Sequence, residues 1–252
     1  MASGKKRLDA ALVERGFFET LDQASRAVMA GQVYIKGQPV TKAGTPVAPD
    51  TDISLAAREK YVGRGGFKLE AALDQFLIDP SGLVCVDIGA STGGFTDCLL
   101  QRGAACVHAV DVGHSQLHWR LRADPRVFCR EGFNARFLEP GDLSPPPVLA
   151  VGDVSFISLT AILPAVFKIL PEGSDAVFLI KPQFEAPKGS LPPGGVVRDE
   201  AVRLACVEKI RNFVEQSGQQ WLGHIPSPIT GHDGNVEYLA HLRRVGDPLR
   251  SN

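Results

Sequence analysis

Seven short apolar runs between Leu83 and Arg243 constrain this chain more than any other feature: Leu83 to Asp87, Ala105 to Asp111, Val127 to Cys129, Leu149 to Asp153, Ala176 to Lys181, Gln220 to Pro226 and Val236 to Arg243. Runs of this kind read as strands covered on both faces. Helical periodicity fills residues 66 to 76, 94 to 102, 115 to 122, 159 to 169 and 199 to 217. Strands alternating with helices over that length predict an α/β fold built on a mostly parallel, seven-stranded sheet. The stretch APKGSLPPGGVVR, residues 186 to 198, reads as a loop long enough to form a flap over a site.

A smaller module precedes this pattern. Leu8, Ala11, Leu12 and Val13 recur at helical spacing until Gly16, and a second helix opens at Thr20, buries Ala24, Ala27 and Val28, and ends at Gly31. A turn at Lys36-Gly37 and short apolar groups at Val47, Ile53 and Leu55 predict small strands. The glycine-rich, charged segment AREKYVGRGGF marks the junction. The expected division is residues 1–57 for the front module, 58–62 for a linker, 63–246 for the main domain and 247–252 for a tail.

The whole chain has 252 residues, 44% of them hydrophobic and 22% charged, enough for one sizeable core and a small extra module. A net charge of -1 gives no overall basic field. Up to residue 48, however, seven basic residues face four acids, a bias compatible with RNA contact. The five cysteines form no C-x-x-C pair, which argues against a disulfide framework and a zinc site. No metal is therefore expected, and a reducing cytoplasm is the expected home. The N-terminus lacks an apolar stretch after its basic residues, and no run has the length of a membrane span.

The strand ends carry the chemistry. VDIGASTGGF, residues 86 to 95, places glycines at 89, 93 and 94, which departs from the G-x-G-x-x-G dinucleotide pattern. Asp87 ahead of that turn would repel a pyrophosphate and suits a ligand with a cationic end and sugar hydroxyls. Asp111, at the end of the next run, stands where an acid accepts from both hydroxyls of a ribose. Each acid alone reads equally well as a helix cap, whereas the pair favours S-adenosylmethionine. Lys181 follows AVFLI and precedes a proline, which places it at the mouth of the sheet. Alone it reads as a snorkelling surface lysine; Asp153 at the neighbouring strand end and Lys68 in RGGFKL give it company.

Taken in order, RGGFKL, DIGASTGGF, DVGHSQL with DPRV, DVSFISL, KPQFE and GNVEYL resemble the TlyA-type ribosomal RNA 2'-O-methyltransferases, relatives of the FtsJ-like enzymes and frequently labelled hemolysins. The stretch from RLDAAL to KAG resembles an S4 RNA-binding domain, and the combined resemblance runs from about residue 5 to 245. It implies a Rossmann-like methyltransferase sheet with a small N-terminal α+β S4-like domain. It also implies a Lys-Asp-Lys-Glu tetrad at Lys68, Asp153, Lys181 and Glu237, with Lys181 as general base. The implied cofactor contacts are Asp87, Gly89, Ser91, Thr92, Gly93, Gly94 and Asp111, although the glycines can equally serve turn geometry alone. Asn134 either reaches the adenine or caps a helix. Expected phosphate contacts are Arg7, Arg26, Lys36 and Lys42, with plain solvated charges as the alternative. Leu21 and Ala43 depart from the residues common in such S4 domains. The implied activity is methylation of a ribose 2'-hydroxyl, on a cytidine, in ribosomal RNA or ribosomal subunits. Two rival readings stand beside it: a membrane-active hemolysin and a non-catalytic RNA-binding protein.

Overall fold

The computed structural model describes residues 4–55, 60–187, 194–231 and 233–246. The chain divides into two compact units, residues 1–59 and 60–252. The first contains β1 (Lys6–Arg7), α1 (Leu8–Glu14), α2 (Leu21–Met29), β2 (Val33–Ile35), β3 (Gln38–Val40), β4 (Pro46–Val47) and β5 (Ile53–Leu55). Thr20 caps α2 as expected: its hydroxyl accepts from the Gln23 amide while the Gln23 side chain accepts from the Thr20 amide. Lys36 and Gly37 both take positive φ, at 51° and 77°, the requirement of a tight hairpin between β2 and β3. Leu8, Leu12, Ala24, Val28, Val33 and Ile53 close one small core. The pairing of β1 with β4 was not foreseen, because two-residue strands leave no periodicity to read.

The second unit begins with α3 (Gly65–Phe76), β6 (Val84–Ile88), α4 (Gly94–Gln101), β7 (Cys106–Val110), α5 (Trp119–Arg122) and β8 (Val127–Arg130). It continues through β9 (Leu149–Gly152), α6 (Leu163–Ile169), β10 (Asp175–Ile180), α7 (Pro182–Glu185), α8 (Glu200–Gln216), β11 (Gln220–Pro226) and β12 (Tyr238–Arg243). The seven strands form one sheet in the order β11-β12-β10-β9-β6-β7-β8. Only β12 runs against its neighbours. Strand order reverses between β6 and β9, and such a switch opens a crevice at the carboxyl ends of the strands.

Period-two alternation assigns the two faces. Val86, Ile88, Ala150, Phe178 and Ile180 pack with α6 and α8 on one side, whereas Cys85, Val107, Val151, Val177 and Leu179 pack with α3 and α4 on the other. Asp153, Lys181 and Glu237 share the parity of the second set and lie one residue beyond the ends of β9, β10 and β12. That parity turns them toward the side on which α3 carries Lys68.

Several expectations need correction. Asp87 does not terminate its strand: it is paired with Ala109 and Val151 inside β6, and Ile88 follows it. The helix expected over 115 to 122 shortens to Trp119–Arg122, because Ser115 adopts φ 56° and breaks helical geometry. The helix expected over 159 to 169 is a 3-10 turn, Leu159–Ala161, followed by α6 with Pro164 near its start. Of the expected linker, residues 58 and 59 lie outside the described residues, while Tyr61 is buried in the core of the second unit. Residues 188 to 193 of the expected flap and the tail from 247 also lie outside the described residues.

Candidate active site

Four side chains predicted to act together meet at adjacent strand ends. Lys68 donates to Glu237 Oε2 at 2.7 Å and lies 3.6 Å from Asp153 Oδ2. Lys181 Nζ approaches Asp153 Oδ1 to 2.6 Å as an ion pair, while its well-aligned hydrogen bond goes to Ser155 Oγ at 2.8 Å. Glu237 is only 2% exposed and Lys68 7%, so their charges are compensated chiefly by one another. The other oxygen of Glu237 accepts from Gln183 Nε2 at 3.2 Å. A Cβ at Gly231 would sit 2.6 Å from that oxygen, so the position tolerates only glycine without displacing the carboxylate. Two ammonium groups against two carboxylates leave the cluster formally neutral when all four are ionised.

The turn after β10 is stitched to the loop after β9. Glu185, buried on α7, accepts from Ser158 Oγ at 2.6 Å, the Leu159 amide at 2.7 Å and Lys209 Nζ at 2.8 Å. Phe156 stands 90% exposed at φ 65° with its ring 5.1 Å from that of Phe184. Ser155, Gln183 and Glu185 were not singled out from sequence. All lie within or beside DVSFISL and KPQFE, so a search for polar residues flanking the strand-end Asp and Lys would have found them.

Beside the tetrad lies a cavity of about 410 Å³, walled in part by Gly89, Ser91, Asp111, Gln116, Asn134 and Asp153. Asp111 faces it with both oxygens already oriented: Oδ2 accepts from the Ser91 amide at 2.8 Å and Oδ1 from the Gly113 amide at 2.7 Å. Gly89 has φ +79°, and a Cβ there would lie 2.8 Å from the Asp153 carbonyl oxygen. Asn134 lines the cavity and also caps the 3-10 turn Ala135–Phe137 by accepting from the Arg136 amide. Its two sequence-based roles are thus compatible. Thr92, Gly93 and Gly94 do not line the cavity. Gly93 instead admits the close approach of Leu117 and Leu121, and Gly94 that of the 63–66 backbone.

Asp87 is fully buried, with Oδ2 accepting from the amide and the hydroxyl of Thr96 at 2.9 and 2.7 Å. It therefore fastens β6 to α4 and does not stand open at the mouth. Burial pushes its pKa up to about 7 against the pull of the Thr96 hydrogen bonds, and the charges of Asp153 and Asp111 add to the rise. Among the described residues its Oδ1 has no hydrogen-bond partner. A ribose-type acceptor pair at Asp111 and a cavity of this size fit the hydrogen-bond donors that S-adenosylmethionine carries.

In the first unit, Arg7 is held by Asp9 through two hydrogen bonds of 3.1 and 2.6 Å, and Asp9 is itself buried. Arg26 pairs with Asp22 at 2.7 Å, and Lys36 and Lys42 are exposed at turns. Among the described residues, no group of His, Cys, Asp and Glu is placed to hold a metal, and no helix is long and apolar enough to cross a membrane.

Comparison with known proteins decides the family. The model of the FtsJ-like methyltransferase family matches residues 61–244, and that of the S4 domain matches residues 6–53. The chain belongs to the FtsJ-like methyltransferase family. This FtsJ-like chain is 44% identical, over 96% of its length and 91% of the relative's, to the 16S/23S rRNA (cytidine-2'-O)-methyltransferase TlyA of Mycobacterium tuberculosis. It is 42% identical, over 94% of its length and 99% of the relative's, to a protein named Hemolysin A from Brachyspira hyodysenteriae. A solved structure from Streptococcus thermophilus, described as a hemolysin, superposes with a TM-score of 0.74 at 44% identity, covering 98% of the FtsJ-like chain and 91% of its own. The family and fold are those of S-adenosylmethionine-dependent methyltransferases, and the S4 domain is an RNA-binding module.

Proposed function

We propose that this chain transfers a methyl group from S-adenosylmethionine to the 2'-hydroxyl of a cytidine ribose in ribosomal RNA, with Lys181 as the general base. The observation that carries this reading is Asp153, which walls the cavity and at the same time holds Lys181 at 2.6 Å, so that cofactor pocket and base share one residue. Bound in the cavity, S-adenosylmethionine supplies an electrophilic methyl group. Asp111 would accept from its ribose hydroxyls, Asn134 would face its adenine, and the turn at Gly89 and Ser91 would leave room for its methionine moiety. Asp87, buried beneath the turn, would hold it to α4 through Thr96.

A ribose hydroxyl is a weak nucleophile until its proton leaves. Lys181 in its neutral form takes that proton, and Asp153 with Ser155 fixes the direction of its lone pair. Lys68, clamped by Glu237, holds Asp153 from the far side, and Gln183 holds Glu237. The protein's work is positioning, which supplies much of the rate in an in-line displacement. In the first unit Arg7, Arg26, Lys36 and Lys42 would contact phosphates, with Arg7 already oriented by Asp9. The five cysteines are all free, in keeping with a cytoplasmic location.

The test is transfer of labelled methyl from S-adenosylmethionine to small and large ribosomal subunits and to protein-free ribosomal RNA, with Lys181→Ala beside the unaltered protein. Label resistant to alkaline cleavage at one nucleotide, absent with Lys181→Ala although that variant still binds cofactor, is expected. Absence of label on every RNA despite cofactor binding would overturn the reading.

A further inference from the structure

The cavity wall that carries Asp111 is held by a residue outside the cavity. Glu131 follows β8 directly, and its carboxylate gathers three consecutive backbone amides: Ser115 at 2.9 Å on Oε2, with Gln116 at 3.0 Å and Leu117 at 3.3 Å on Oε1. Arg122 adds a fourth donor at 2.7 Å. Ser115 sits at φ 56°, a left-handed conformation that a serine adopts at a cost, so something must offset that cost. Around this knot three backbone hydrogen bonds tie the segment after β7 to the segment after β8. The Asp111 amide donates to Arg130, the Phe133 amide to Asp111 and the Gly132 amide to Gly113. Glu131 is thus fixed relative to Asp111, and the loop between them, which sends Gly113 and Gln116 into the cavity, is fixed by Glu131. Arg122 and the three amides hold the Glu131 carboxyl down to about 2, so the knot is charged at neutral pH.

We propose that Glu131 is a positioning residue for the cofactor: by gathering the amides of Ser115, Gln116 and Leu117 it sets the ribose-facing wall of the cavity. The inference rests on the reading of that cavity as the S-adenosylmethionine site. Glu131 itself does not line the cavity, so its effect is carried by the loop. Neutralising it leaves an amide group facing three N–H donors, and the strain at Ser115 is no longer offset. The loop then samples other conformations and the Asp111–Gly113 hydrogen bond loosens with it.

The experiment is calorimetric titration of S-adenosylmethionine into full-length wild type, Glu131→Gln, Glu131→Asp and the double variant Glu131→Gln/Ser115→Gly, with hydrogen exchange followed at residues 115–117. Glu131→Gln is expected to weaken binding on the order of tenfold, the scale of a lost charge-assisted hydrogen bond, and to speed exchange at those amides. Glu131→Asp should recover part of the affinity, and Ser115→Gly, which removes the cost of the left-handed residue, should recover part in the double variant. In turnover, the KM for S-adenosylmethionine should rise while kcat at saturating cofactor holds. Wild type and Glu131→Gln binding with equal affinity would overturn the inference and leave the cofactor reading standing. Wild type failing to bind S-adenosylmethionine would overturn both. If Glu131→Gln does not fold, the comparison of wild type with Glu131→Asp decides, with unchanged affinity and exchange counting against the proposal.

Discussion

At the scale of single residues, the site is a set of charges kept in place by other charges and by backbone amides. Lys181 and Asp153 were legible from their positions after apolar runs and Lys68 from the RGGFKL turn, whereas Glu237 was legible only through the resemblance of the motif around it. Asp87 was legible as an acid but not as a buried one, since its burial depends on how Thr96 of α4 closes over it. That burial has a pH signature. Below a pH of about 4 the carboxyl is protonated in both folded and unfolded chains. As pH rises toward about 7 the unfolded chain gives up its proton while the folded one keeps it, so stability falls through that window and the loss is complete above it. Denaturant titrations of wild type and Asp87→Asn are expected to show this fall in wild type alone, at most about 1.4 kcal/mol per pH unit. Parallel slopes for the two proteins would mean that Asp87 is ionised in the fold at all these pH values.

At the scale of elements, the turn after β6 couples cofactor site and catalytic cluster through one contact. Gly89→Ala would place a methyl group 2.8 Å from the Asp153 carbonyl in a left-handed backbone conformation. Either strain of about 1–3 kcal/mol remains or the end of β9 moves. The expected result is a lower thermal midpoint together with loss of methyl transfer, read by calorimetry and label incorporation on the same sample. In the first unit, Thr20→Ala removes the hydroxyl half of the α2 capping box and should lower stability by about 1 kcal/mol in thermal unfolding. Thr20→Ser should restore most of it. Helix starts and tight turns such as these were readable from sequence because their chemistry is local. The shortened α5 and the four-residue α7 were not: Glu131 reaches Ser115 from a different strand, and Pro182 opens a helix too brief to show a period.

At the scale of the whole molecule, each unit has its own core: Leu8, Leu12 and Val28 lie in one cluster, whereas the sheet of the second unit is covered by two others. A chain starting at residue 60 should therefore fold and bind S-adenosylmethionine with wild-type affinity. Its affinity for ribosomal RNA should fall and depend less steeply on salt, because the phosphate contacts proposed at Arg7, Arg26, Lys36 and Lys42 are gone. Unchanged RNA affinity and salt slope would place recognition in the second unit. The sequence by itself determined the alternation of strands and helices, the two-part layout and the local caps and turns, because apolar period and turn chemistry act within a few neighbouring residues. Only the tertiary structure decided that Asp87 is buried, that Asn134 both caps and lines, and that Lys68 and Glu237, 169 positions apart, are joined by a hydrogen bond of 2.7 Å. The physical reason is that burial and charge pairing depend on strand order and sheet face, which no local pattern encodes.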